Sequence, residues 1–505
     1  MIAAMRRFRP LWALLPLLCA APSAAETVLE RDFSPAPGRL EARPVGKAAF
    51  LVEIGDRFGM GDLSLNDDAL SAARAQNLTP FEGKEGAAGL NSAFLRLSTE
   101  GRLSESFSFE ASIRIHDDLS SDDLDTSNYQ AYQGLPFNVQ EDNRRTWDVF
   151  TGVARWRGSF FRLQAGVDYL SAGPAERNPL VLGGRELPWR PWQHGSSAIA
   201  ERAPMLHGAF SMFMGPFVYT QILGSPRHTT GYEKYLHYHR LQAGSERWSF
   251  AVGEAVVYGS TPTTAGQEYP DSSDRSMEWG YALPFVPYYF AEHYLGDRDN
   301  AMLFADFTVR PIRHRAFDGL EFYGEFAIDD LKSPGDLFKN WWGNKWAVTA
   351  GVRHRLRGGR IPWGWGYEFT QIEPWVYTHA KGAAYDDSHY GFPLGSDLGP
   401  NAREHWIHVD VEPAPVGRLS LGFSTVWKGF DRGSSVSDLH SYLIDGNGKS
   451  TLSPSARGHW NEVSLGWSRL FPLGVTAELE GGWLFGDAEG FRIRGEAKVP
   501  LRISH

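Results

Sequence analysis

The stretch Phe491-Arg-Ile-Arg-Gly-Glu-Ala-Lys-Val-Pro-Leu-Arg-Ile503 alternates apolar and charged residues along nearly its whole length. Successive side chains of a strand point to opposite faces. One face therefore carries Phe491, Ile493, Ala497, Val499, Leu501 and Ile503, and the other Arg492, Arg494, Glu496, Lys498 and Arg502. A wall with lipid on one side and a polar lumen on the other requires this separation. The same pattern sets Phe107, Phe109, Ala111, Ile113 and Ile115 against Ser108, Glu110, Ser112, Arg114 and His116. It recurs with Leu320, Phe322, Phe326 and Ile328 against Glu321, Tyr323 and Glu325, and with Trp346, Val348, Ala350 and Val352 against Lys345, Thr349, Arg353 and Arg355. One strand is untidy. Between Arg247 and Tyr258, Glu254 shares its phase with Trp248, Phe250 and Val252, which predicts a bulge or a bulky face turned partly inward.

Working outward from these strands, the connections fall into two alternating classes. Short polar turns lie at Glu100 to Ser104, Arg157 to Ser159, Ala243 to Glu246, Arg310 to Gly319, Glu412 to Gly417 and Phe471 to Gly474. Long irregular stretches run from Asp117 to Arg145, Ser171 to Arg202, Gly259 to Asn300, Asp329 to Asn344, Thr378 to Arg403 and Gly429 to His459. Outer-membrane barrels place short turns in the periplasm and long loops outside the cell, so connection length predicts sidedness. The fold expected is all-β, a transmembrane antiparallel β-barrel of about 18 strands over residues 47–505, with a loop plug. Tyr169, Trp346, Trp427 and Trp483 fall in the apolar phase at strand ends beside long loops, the place of an aromatic girdle.

Composition agrees. The 505 residues have a mean hydropathy of −0.34, and beyond the first residues the apolar side chains are dispersed, with no run long enough for a spanning helix. Met1 to Ala25 has the form of a secretory signal: Arg6, Arg7 and Arg9, the apolar Leu11 to Ala21, then Ser23-Ala-Ala25. Cys19, the one cysteine, lies within it, so neither a disulfide nor a catalytic thiol is expected in the mature chain. Glu26 to Gly46 is a Pro-rich leader, too short to fold alone. Asn66 to Gln76 is the best candidate for a short loop helix. The whole chain has 50 basic and 60 acidic residues; loss of the three signal arginines takes the formal charge from −10 to −13, which argues against nucleic acid as a partner.

Catalytic and metal constellations are sparse. His440-Ser441 is the nearest Ser/His pair, unremarkable in a loop, and no enzyme, metal or cofactor is expected. His237 and His239 are two ligands without a site, and the acidic run Asp117, Asp118, Asp122, Asp123 and Asp125 lacks the glycine and spacing of a calcium loop. Positive charge gathers at two neighbouring turns, in Arg310, Arg313, Arg315, Arg353, Arg355, Arg357 and Arg360. This is either a basic periplasmic rim or lumen ion pairing with Glu321 and Glu325. Trp375, Tyr377, His379, Tyr385, His389 and Tyr390, with Asp386 and Asp387, form the candidate carbohydrate-binding set. Their rings suit stacking on sugars; an inward-folded plug packed on its own rings is the alternative.

The stretch Tyr367-Glu-Phe-Thr-Gln-Ile-Glu-Pro-Trp-Val-Tyr-Thr-His379, continued by His389-Tyr-Gly-Phe-Pro-Leu-Gly-Ser-Asp-Leu-Gly-Pro-Asn401, resembles the Wzi capsule-assembly family of outer-membrane proteins. His239-Arg-Leu241, Gly253-Glu-Ala-Val-Val-Tyr-Gly259, Asp299-Asn300 and Tyr323-Gly-Glu-Phe-Ala-Ile-Asp-Asp330 occur in the same order. The resemblance implies an 18-stranded outer-membrane lectin that anchors capsular polysaccharide at the surface of a Gram-negative cell. Surface polysaccharide and outer-membrane lipid are then the expected partners, and a monomer the expected state. The mixed charge of the lumen face leaves a passive channel or an exopolysaccharide-export porin as the alternative function.

Overall fold

The computed structural model describes residues 45–65, 86–120, 138–141, 144–184, 202–227, 233–260, 275–295, 299–312, 319–330, 335, 337–356, 361–379, 382, 384–413 and 416–504. The signal, the leader up to residue 44, the stretch 66–76 expected to be helical, Arg313, Arg315, Arg357 and Arg360 lie outside them.

Nineteen antiparallel strands form the main sheet. Eighteen make a ring, closed where the first strand, Lys47–Leu65, pairs with the last, Ala488–Ser504. The nineteenth, Asn138–Glu141, only adds to Arg144–Arg157. Closure matters energetically: a ring has no edge, so every backbone group of the wall is paired without water.

The predicted alternation holds in the wall. On Leu320–Asp330, Phe322 is 43% exposed and faces outward, whereas Glu321, Tyr323 and Glu325 are buried in the lumen. Trp346, Trp427 and Trp483 lie on the outer face towards the long-loop end, and Tyr169 follows directly on the strand Phe161–Asp168. The connection after Trp483 differs from the expectation. The strand Thr476–Gly486 passes to the last strand through Asp487 alone, the exception to the rule of long loops at that end. At the opposite end, Gly215 and Pro216 make a tight turn between Met205–Met214 and Phe217–Ser225.

The strand Trp248–Gly259 is not bulged. Its register runs unbroken against Lys234–Gly244 and Asn300–Val309. Glu254 keeps the outward phase because residues 275–295 lie over the outer wall at that place and accept it: the backbone N–H of Tyr288 donates to Glu254 Oε2.

The lumen is filled from the long-loop end. Two short pairings, Ser171–Ala172 with Leu182–Gly183 and Ser388–His389 with Phe392–Pro393, belong to loops that fold inward and bond to each other. Gly183 N donates to Leu394 O (2.7 Å) and Tyr377 Oη to Leu180 O (2.8 Å). Gly395 passes so close to the Leu180 carbonyl that a Cβ there would clash with it. Leu170, Leu180, Leu182, Val376 and Leu398 of these loops pack on the inward-facing Ile222, Leu236, Tyr238 and Val257 of the wall. The main hydrophobic core of this barrel is therefore inside its upper lumen.

Below that core the wall holds the inward loop by carboxylates. Glu368 accepts the backbone N–H groups of Glu176 (2.8 Å), Arg177 (3.2 Å) and Asn178 (2.8 Å). Glu325 accepts those of Ala175 (2.8 Å) and Leu180 (2.7 Å). Arg177 reaches across to Glu404 (2.9 Å) and Glu462 (3.4 Å).

Candidate functional site

Beyond the strand Trp363–Ile372 the sequence Glu373-Pro-Trp-Val-Tyr377 forces a sharp turn. Pro374 has no N–H for a ladder. Trp375 and Tyr377 follow at φ 71° and 68°, a left-handed geometry that costs a non-glycine residue on the order of 1 kcal/mol or more. Tertiary bonds on both sides hold it: Trp375 N donates to Gly433 O (2.8 Å) and Tyr377 N to Asp329 Oδ2 (2.7 Å). Gly433, itself at φ 87°, lies so close over the indole that a Cβ would strike it.

This turn places Trp375 in the wall of a 410 Å³ cavity that opens at the long-loop end, lined also by Asp431, Arg432, Asp445, Gly448, Lys449 and Ser450. Asp445, from the short helix Tyr442–Asp445, binds the Arg432 guanidinium (Nε–Oδ1 2.5 Å, Nη2–Oδ2 3.2 Å), and that bond raises the arginine's pKa. Lys449 Nζ donates to Glu373 (2.8 Å) and to Asn344 O (2.6 Å). Burial raises the Asp431 carboxyl above the usual range, while Ser434 (3.0 Å) and Asn401 (2.8 Å) donate to it and pull the other way. Asp438 Oδ2 collects three successive backbone N–H groups, of Gly433, Ser434 and Ser435, and fixes the loop that carries Arg432.

Beside the cavity is an aromatic cluster. Trp342 stacks on His440 (centroids 3.7 Å apart), and His440 meets Trp375 and Tyr442 edge-on at 5.0 Å. Tyr442 is exposed. The arrangement offers hydroxyl acceptors in Asp431 and Asp445, donors in Arg432 and Lys449, and beside them the exposed ring of Tyr442; Trp375 and Trp342, 2% and 8% exposed, back the cavity without offering an open face. Among the described residues no group of His, Cys, Asp and Glu is placed to hold a metal ion.

Of the ring-bearing residues singled out in the sequence, Trp375 alone lines this cavity. Tyr377 is in the plug, and burial drives its pKa up. Burial also drives His389 down to about 3, and its Nδ1 accepts the Arg227 N–H (2.9 Å). Tyr390 is 8% exposed and packs on His389; Tyr385 is 4% exposed and joins a tyrosine cluster on the outer wall, with His379 against it. These rings do not share one open surface, and removing them would open cavities within the loops. Asp431, Arg432, Asp445 and Lys449 went unnoticed because no spacing marks them; they are brought to Trp375 only by the way their loop folds.

The three described arginines of the opposite end, Arg310, Arg353 and Arg355, pair inward. Arg310 (2.6 Å) and Arg353 (Nε 2.7 Å) both bind Glu321, and Arg355 binds Glu176 of the plug at 2.9 Å. His237 and His239 face outward, bonded to Tyr258 (2.9 Å) and Glu254 (3.1 Å).

Fold and site together define an outer-membrane-type β-barrel with a plugged lumen and a polar, aromatic-edged cavity among its long loops. No protein-family model matches the chain, and no curated protein sequence does. Among solved structures it is similar to Wzi, an outer-membrane protein involved in group 1 capsule assembly in Escherichia coli and described as a carbohydrate-binding β-barrel (TM-score 0.51, 11% identity, 88% of this chain and 84% of that one covered). OpdQ of Pseudomonas aeruginosa (TM-score 0.46, 10% identity, 90% and 99% covered) and OccAB1 of Acinetobacter baumannii (TM-score 0.44, 9% identity, 90% and 97% covered) also match. At these identities the likeness is one of fold.

Proposed function

We propose that this protein is a surface-polysaccharide attachment or assembly factor of the bacterial outer membrane, a non-enzymatic lectin-like barrel related to Wzi. The observation that carries the reading is the cavity lined by Asp431, Arg432, Asp445 and Lys449, whose donors and acceptors, with the exposed Tyr442 ring beside them, suit a chain of sugars and which opens on the side expected to face the cell exterior. The bonded plug supports attachment over passage, since Glu325 and Glu368 seat a loop across the lumen where a channel needs open space.

Direct binding tests it. Purified protein immobilised in nanodiscs should bind the producing strain's own surface polysaccharide by surface plasmon resonance. Tyr442→Ala removes the exposed ring beside the cavity, at the cost of its edge contacts with His440 and Trp342. It should weaken binding by about 1 kcal/mol, or several-fold in Kd, the usual worth of an aromatic contact. Absence of binding by the parent protein would contradict the proposal.

A further inference from the structure

The strands Phe217–Ser225, Lys234–Gly244 and Trp248–Gly259 carry an anomaly on their outer face. Their register sets Tyr219, Gln221, His237, His239, Glu254 and Tyr258 in the same phase as the exposed Phe217, Leu241, Phe250 and Val252. Bare polar groups on a lipid-facing wall are costly. Here each is covered by residues 275–295. Gln221 Nε2 donates to Tyr281 O (3.0 Å). The backbone N–H of Glu278 donates to Tyr258 Oη (2.6 Å), that of Phe285 to Tyr219 Oη (3.1 Å), and that of Tyr288 to Glu254. Tyr281 and Tyr288 are wholly buried against the wall. Arg275 and Tyr281 both bind Asp299 beside the strand that follows, Tyr281 at 2.8 Å.

We propose that residues 275–295 form a membrane-embedded flap, bonded on one face to the polar patch of the outer wall and contacting the acyl chains of the surrounding lipid with the other. Two features fit that setting. The flap is non-helical up to Pro287 and ends in the helix Tyr288–Leu295. Non-helical backbone survives at membrane depth only where protein satisfies its polar groups, and the wall side chains accept the N–H groups of Glu278 and Phe285 and of Tyr288 at the helix start, and donate to the Tyr281 carbonyl. Among the flap residues whose side chains are described, the exposed ones are Trp279, Leu283, Phe285, Tyr289, Tyr294 and two prolines, with Ser276 at its start the one polar residue. That face continues the apolar belt of Leu206, Leu241 and Leu303 on the same side of the barrel. The inference rests on the barrel fold and is independent of the glycan reading.

Site-directed spin labelling in bilayers tests it. With no cysteine expected in the mature chain, Leu283→Cys and Trp279→Cys place labels at exposed flap positions. Leu241→Cys gives a lipid-facing reference and Ser437→Cys a loop reference. The flap labels should be relaxed several-fold more effectively by oxygen than by a water-soluble nickel chelate, as at Leu241. Relaxation dominated by the nickel chelate, as at Ser437, would put the flap in water and overturn the proposal. Protection from both reagents would also overturn it, because protein would then cover that face.

Discussion

Replacing Glu325 and Glu368 together with alanine is expected to turn a closed barrel into a conducting one. The two carboxylates accept five backbone N–H groups between Ala175 and Leu180. Each buried donor left without a partner costs about 1–3 kcal/mol, so the loop loses on the order of 5 kcal/mol of its seating even after water reaches some of them. Glu368 also accepts from Tyr323 Oη (2.9 Å), and that contact goes too. The wall is untouched, because its ladder bonds are backbone to backbone. Planar-bilayer recordings should show no steady current for the parent protein and a steady current for the double variant. A parent that conducts steadily would contradict the plug.

Lys234→Met is expected to loosen the second inward loop. Lys234 is fully buried, and its Nζ donates to Asp386 (Oδ1 2.5 Å, O 2.6 Å) and to Ser388 O (3.0 Å). Asp387 is close by, its pKa pushed well up by burial and by Asp329 while Lys234 holds it down. Removing one partner of a buried pair leaves the other charge uncompensated and costs about 3–5 kcal/mol; removing both is far milder. Residues 384–401 should therefore become sensitive to limited proteolysis in Lys234→Met, with the barrel intact, and Lys234→Met/Asp386→Asn should recover much of the resistance. Equal resistance in the parent and the single variant would show that the pair does not hold the loop.

The barrel could be read from the sequence because its physics is periodic. Phe107 to His116 and Phe491 to Ile503 separate lipid-facing from lumen-facing side chains at every second residue, and no tertiary context is needed to see it. The Gly215-Pro216 turn was hidden because apolar residues crowd both sides of it, in Met212-Phe-Met214 and Phe217-Val218. The flap had left a trace: Glu254 stood in the wrong phase, and the physical reason is a partner from a distant loop, which a local pattern cannot supply. The site was half visible. Trp375 stood out, but a buried ring at the edge of a cavity and one packed within a loop have the same composition, so Tyr377, His389 and Tyr390 could not be told apart from it.

The most direct test of the polysaccharide reading is made on cells. Deleting the gene and measuring cell-bound against shed surface polysaccharide should show unchanged total synthesis with a shift from the bound to the shed fraction, restored by the parent gene. Equal retention in the deletion and parent strains would contradict the account.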